Sequence, residues 1–156
     1  MRAEAQAHAD QIKAALDLIR RFLDWDRALR RLDELNNRVE DPSLWNDAKQ
    51  AQEVMRERRR LDEAIGAARA IQTELDDTSE LIEMAEAEGD DAMVEDGLAA
   101  LAGLAERAER DKVTALLAGE ADASAAVPKA RPKRASVRRT QPRPESDFLQ
   151  SQGGIY

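Results

Sequence analysis

The sequence predicts an all-α fold: an elongated antiparallel helical bundle, or coiled-coil-like hairpin, with a disordered C-terminal tail. Three observations carry this. Apolar residues recur at spacings of three and four through the first 120 or so residues. Two short stretches, "VEDPSLWND" and "EGDDAMV", interrupt that pattern with turn chemistry. The last stretch changes composition altogether: "SAAVPKARPKRASVRRTQPRPESD", Ser124 to Asp147, is basic and holds four of the five prolines.

The first stripe is Ile12, Leu16, Ile19 and Leu23, with Ala15 and Phe22 flanking the same face. A second runs Trp25, Ala28, Leu32, Leu35 and Val39, the seam of a helix packed against an antiparallel or parallel neighbour. Asp24 is the expected cap of the second helix and marks a bend. Pro42 disfavours helical geometry at Asp41, so a tight turn is expected there, with Ser43 and Asn46 as candidate caps. A long helix follows from about Leu44 to about Glu88. Its stripe is Ala48, Ala51, Met55, Leu61, Ile65, Ala68, Ile71, Leu75, Leu81 and Ile82. Gly89 suits a left-handed C-cap and Asp90 the next N-cap. The third long stripe is Val94, Leu98, Leu101, Ala105, Ala108, Val113, Leu116 and Leu117, ending at Gly119. No one of these helices can bury its stripe alone, so they must pack together. The tail has too few large apolar residues to join them and is expected to be disordered.

Composition narrows the function classes. There is no cysteine, hence no disulfide framework and no thiolate metal site. The one histidine, His8, lies near an end expected to fray and has no acid or nucleophile placed with it in sequence. The acid pairs Asp76-Asp77 and Asp90-Asp91 read as caps or solvated faces. No residue is therefore assigned a catalytic, cofactor-binding or metal-binding role, and no cofactor or small-molecule ligand is expected. No apolar run approaches the roughly 20 residues of a membrane span, and the N-terminus lacks a signal-peptide core. The cytoplasm is the expected compartment.

The net charge of −8 is split. From Ser124 onward seven basic residues face only Glu145 and Asp147, so the body is more acidic than the total shows. Such a body repels phosphate backbones, and aromatic stacking platforms are scarce. Trp25 and Trp45 read as core anchors. The basic cluster "RERRRL", Arg56 to Leu61, reads as a solvated face pairing with Glu53, Glu57 and Asp62 along its own helix.

With the turn "LNNRVEDPSLWNDAKQAQEVMRERRRL" in place, the chain resembles the N-terminal helical domain of the bacterial peptide chain release factors, the factor 2 branch above all. The likeness rests on an ordered succession: Trp25, Pro42, Trp45-Asn46, the acidic Gly89 turn and the Leu117-Ala-Gly-Glu120 exit. It covers roughly Asp10 to Ala123. The resemblance implies termination of translation on the ribosome at UGA and UAA codons, with this domain lying near the base of the ribosomal stalk. It also implies that the chemistry lies elsewhere. A Ser-Pro-Phe tripeptide reads the codon and a Gly-Gly-Gln loop reaches the peptidyl transferase centre. This chain has neither, and Gln152-Gly153-Gly154 is the reverse order. On its own it is expected to be an inactive fragment.

The tail departs from the family pattern. One permitted coding of Ala126 to Arg131 is GCG GTA CCG AAA GCC AGG. With a G before it and the frame moved by one nucleotide, the bases spell Gly-Gly-Thr-Glu-Ser-Gln, the family's own next segment. The chain is thus expected to comprise a helical release-factor domain, residues 1–123, and an out-of-frame basic tail, residues 124–156. Two other classes stand beside this reading. One is a coiled-coil-like adaptor for a protein partner; the other is a helical body carrying a basic RNA-binding arm.

Overall fold

The structure, a computed structural model, describes the backbone of residues 2–126 and side chains as far as residue 120. The chain divides into two compact units, Met1–Leu117 and Ala118–Tyr156. Of the second, only the helical backbone to Ala126 is described. The expectation that the tail is disordered concerns residues almost wholly outside the described ones.

The described residues are helical apart from short breaks, with no strand among them. Helix α1 spans Ala3–Leu23 and α2 spans Trp25–Val39. A short 3₁₀ helix, Pro42–Asn46, leads into α3, Ala48–Glu88, and α4 spans Asp91–Ala126. The 41 residues of α3 make a rod of about 60 Å. Helices α1 and α2 lie along it in succession and antiparallel to it. Arg2, before α1, meets Glu86 near the end of α3, while Arg20 reaches Gln72. Further on, Arg31 of α2 meets Glu57. Helix α4 also runs antiparallel to α3, with Arg107 on Glu74 and Gly97 against Ile82.

The apolar stripes accordingly make two clusters. In the first, α1, the C-terminal part of α3 and α4 enclose Ile12, Leu16, Ile71, Leu75, Ile82 and Leu101. In the second, α2, the 3₁₀ helix and the start of α3 enclose Leu35, Leu44, Val54, Leu61 and Ile65. Trp25 packs against both. No polar or charged residue is buried among those described.

Local chemistry sets the breaks. Asp24 has φ 55° and ψ 68°, the left-handed region, so α1 ends and α2 starts anew. The bend falls at the expected residue, but its side chain makes no capping hydrogen bond; the carboxylate lies 3.7 Å from Arg27 instead. The caps expected of Ser43 and Asn46 are made by their acidic neighbours. Asp41 accepts from the Ser43 N–H and hydroxyl, and Asp47 accepts from the Gln50 N–H at 3.1 Å. The 3₁₀ turn after Pro42 delays α3 to Ala48, because proline at the first position suits a short helical turn. Gly89, at φ 73°, ends α3 as expected, its N–H bonding to Glu86 and that of Asp90 to Ala85. Asp90 caps α4 through the Met93 N–H at 3.1 Å.

Three expectations need correction. Helix α4 passes through Gly119, where it was expected to end, and continues to Ala126. A lone glycine costs only about 1 kcal/mol among alanines and does not stop a helix. Leu81, Val113, Leu116 and Leu117, assigned to stripes, are exposed, and Val54, Ala85 and Leu104 are buried in addition. The start of α1 is well packed, with Ala5 and Ala9 buried, since alanine allows close helix approach.

Candidate interaction surface

Polar side chains join the two antiparallel helices of the second cluster along its edges. Arg31, one residue before Leu32 of the α2 stripe, reaches across to Glu57 of α3. Its Nε and Nη2 donate to the two carboxylate oxygens, each at 2.8 Å, and Nη1 donates to Glu34 at 3.0 Å. This is the paired, planar recognition for which guanidinium is suited. The Arg31 hydrogen bonds hold the Glu57 carboxyl below the usual carboxylate range, against the opposing effect of partial burial. On the seam, the Arg58 Nε donates to Asn36 Oδ1 at 2.6 Å. Between Arg27, Arg30, Arg31, Glu34 and Glu57 lies an open, charged cleft of about 560 Å³. Arg30 makes no hydrogen bond among the described residues, and Arg27 only a loose pair with Asp24.

The "RERRRL" cluster thus behaves differently from its expected role. Glu57 and Arg58 bond across to α2 rather than along α3, because the two residues flank the seam between its buried Val54 and Leu61. Arg56, Arg59 and Arg60 are exposed. The two tryptophans part company. Trp25 is half-buried, with the guanidinium groups of Arg20 and Arg69 at 5.5 and 5.9 Å from its ring. Trp45 is 53% exposed and is not a core anchor; its indole Nε1 donates to the Val39 carbonyl at 3.2 Å, tying the 3₁₀ turn back to α2. His8 is half-buried on α1. Asp76 accepts from Gln72 and Asp90 caps α4. No cluster of three or more acidic or histidine side chains is placed to hold a metal among the described residues. Among the same residues, no helix is long and apolar enough to cross a membrane. The cross-helix bonds of Arg31 and Arg107 were not anticipated; charges flanking an apolar seam are the signal that could have found them.

The arrangement of the described residues holds the helices together and presents surfaces. The PCRF domain model matches residues 28–133, from within α2 through the 3₁₀ turn, α3 and α4. The chain belongs to the PCRF-domain family. Its match runs past Ala123 into the basic stretch. Among relatives, the peptide chain release factor 2 of Paramagnetospirillum magneticum is 50% identical over 122 residues, covering 78% of this chain and 33% of the relative. That of Ruegeria sp. is 43% identical over 122 residues, with the same coverage. That of Rickettsia bellii is 39% identical over 124 residues, 80% of this chain and 34% of the relative. The PCRF-domain chain thus spans about a third of the length of the release factors it matches.

Proposed function

We propose that this PCRF-domain protein does the work of the N-terminal helical domain of a peptide chain release factor 2. In that role it helps seat a cytoplasmic termination factor on the ribosome, near the base of the stalk. The observation that carries the proposal is the 50% identity to a release factor 2 over nearly the whole helical body. The long helices α1, α3 and α4, which share one apolar cluster, suit an arm that positions other domains. The chain takes no part in chemistry of its own: neither Ser-Pro-Phe nor Gly-Gly-Gln occurs in it. A domain exchange tests this directly. Residues 1–123 replace the corresponding third of the Paramagnetospirillum factor, and peptide release is measured on ribosomes stalled at UGA. The chimera is expected to release peptide at a rate close to that of the parent, while the present chain alone releases none. A chimera that folds but fails to release would contradict the assignment.

The organisation into a helical domain, residues 1–123, and an out-of-frame tail, residues 124–156, belongs to the same proposal. The nucleotide sequence beyond the Ala123 codon decides it. The proposal requires release-factor sequence in another frame there; a gene without it would overturn the out-of-frame reading.

A further inference from the structure

One patch on the described surface is both apolar and strongly charged around its rim. Leu81, Met84 and Met93 are 41%, 57% and 41% exposed. They lie where α3 and α4 approach the Gly89 turn. The Arg107–Glu74 ion pair marks one side of the α3–α4 seam. Leu81 follows Glu74 by seven residues and Met93 precedes Arg107 by fourteen, so both sit on that same side. Met84 adjoins Leu81 by one helical turn. Helix α1 lies on the other side, where Arg2 meets Asp91 and Glu95. The patch is therefore left uncovered by the described helices.

Its rim is uniformly acidic. Between Glu74 and Asp96 there are eleven acidic residues and no lysine or arginine. On the patch side Asp77, Glu80, Glu88 and Asp96 are exposed, and none pairs with a cation among the described residues. This charge chooses the occupant. Nucleic acid and anionic membranes are repelled. A second copy of the chain would set two acidic rims against each other. A basic protein segment with apolar side chains meets both requirements, and methionines adapt readily to such partners.

We propose that the Leu81–Met84–Met93 face of the α3–α4 hairpin is a docking site for a basic amphipathic helix of a partner protein, its apolar face on the patch and its lysines or arginines on the rim. The site stands apart from the arginine-lined cleft and does not depend on the release-factor reading.

The test titrates the full chain, labelled at its methionine methyl groups, with a 14-residue peptide of leucine, lysine and alanine patterned as an amphipathic helix. The Met84 and Met93 signals are expected to shift while Met55, at the far end of α3, stays in place. Raising the salt should weaken binding. The variant L81S/M84S/M93S should bind about tenfold more weakly, with unchanged helical circular dichroism because all three side chains are exposed. The control variant V113S/L116S/L117S, which removes three exposed apolar residues elsewhere on α4, should bind as the parent does. Equal binding by L81S/M84S/M93S, an equal loss in the control, or equal affinity for a scrambled peptide of the same composition would overturn the proposal. So would self-association of the chain abolished by L81S/M84S/M93S, which would make a second copy the occupant.

Discussion

Glycine and carboxylate positions show how single residues set the geometry. At Gly97 an added Cβ would overlap Ile82 Cγ1 and lie 3.0 Å from its Cδ1, whereas at Gly103 it would meet nothing within 4 Å. Ile82 is wholly buried and has no room to withdraw. Gly97→Ala is therefore expected to cost about 1–3 kcal/mol in denaturant unfolding, overpacking outweighing the gain in helix propensity. Gly103→Ala should instead stabilise by about 0.5–1 kcal/mol. The opposite signs at two glycines of one helix are the point of the comparison. At Glu57 the contribution depends on pH. Its folded-state pKa is depressed by Arg31, so its stabilisation is complete above the unfolded carboxylate pKa of about 4.3. It is lost as the pH falls through the lower, folded value. Since the pair is partly exposed, Glu57→Gln should cost about 0.5–1 kcal/mol at neutral pH. That difference should vanish at strongly acid pH, as read from unfolding midpoints across the acid range.

At the scale of elements, the helix boundaries rest on side chains that accept backbone N–H groups. Asp90→Ala removes the acceptor for Met93 N–H and should cost about 1 kcal/mol, with faster amide exchange confined at first to the first turn of α4. The Gly89 and Asp90 signals were legible in the sequence because each residue type has one dominant use at a helix end. The start of α3 was not. "DPSLWND" offers Ser43, Asn46 and Asp47 as acceptors at nearby positions, and the 3₁₀ turn that leaves Asp47 as the cap seats Leu44 in the second cluster. The end of α4 was misread for a similar reason: Gly119 resembles a stop signal, but the flanking alanines favour the helix.

Across the whole of residues 1–117, the stripes read from the sequence account for most of the core, since periodicity reports burial directly. It does not report where a neighbouring helix runs out. Leu81, Val113, Leu116 and Leu117 continue the spacing yet are exposed. For Arg31 and Glu57 the sequence shows charges flanking a seam but not which of them meet, because pairing across a seam depends on register between helices distant in sequence. The two-cluster design makes α1 indispensable: without it Ile71, Leu75 and Leu101 would lose one of the three walls of the first cluster. Leu16→Ala, in a side chain 1% exposed, should cost about 2–5 kcal/mol. The most direct test of this mutual covering is native-state amide exchange on the full chain. Residues around Leu16, Leu75 and Leu101, on three different helices, should exchange with one common free energy equal to that of global unfolding. An α1 that exchanges far faster than α3 and α4 would contradict the account.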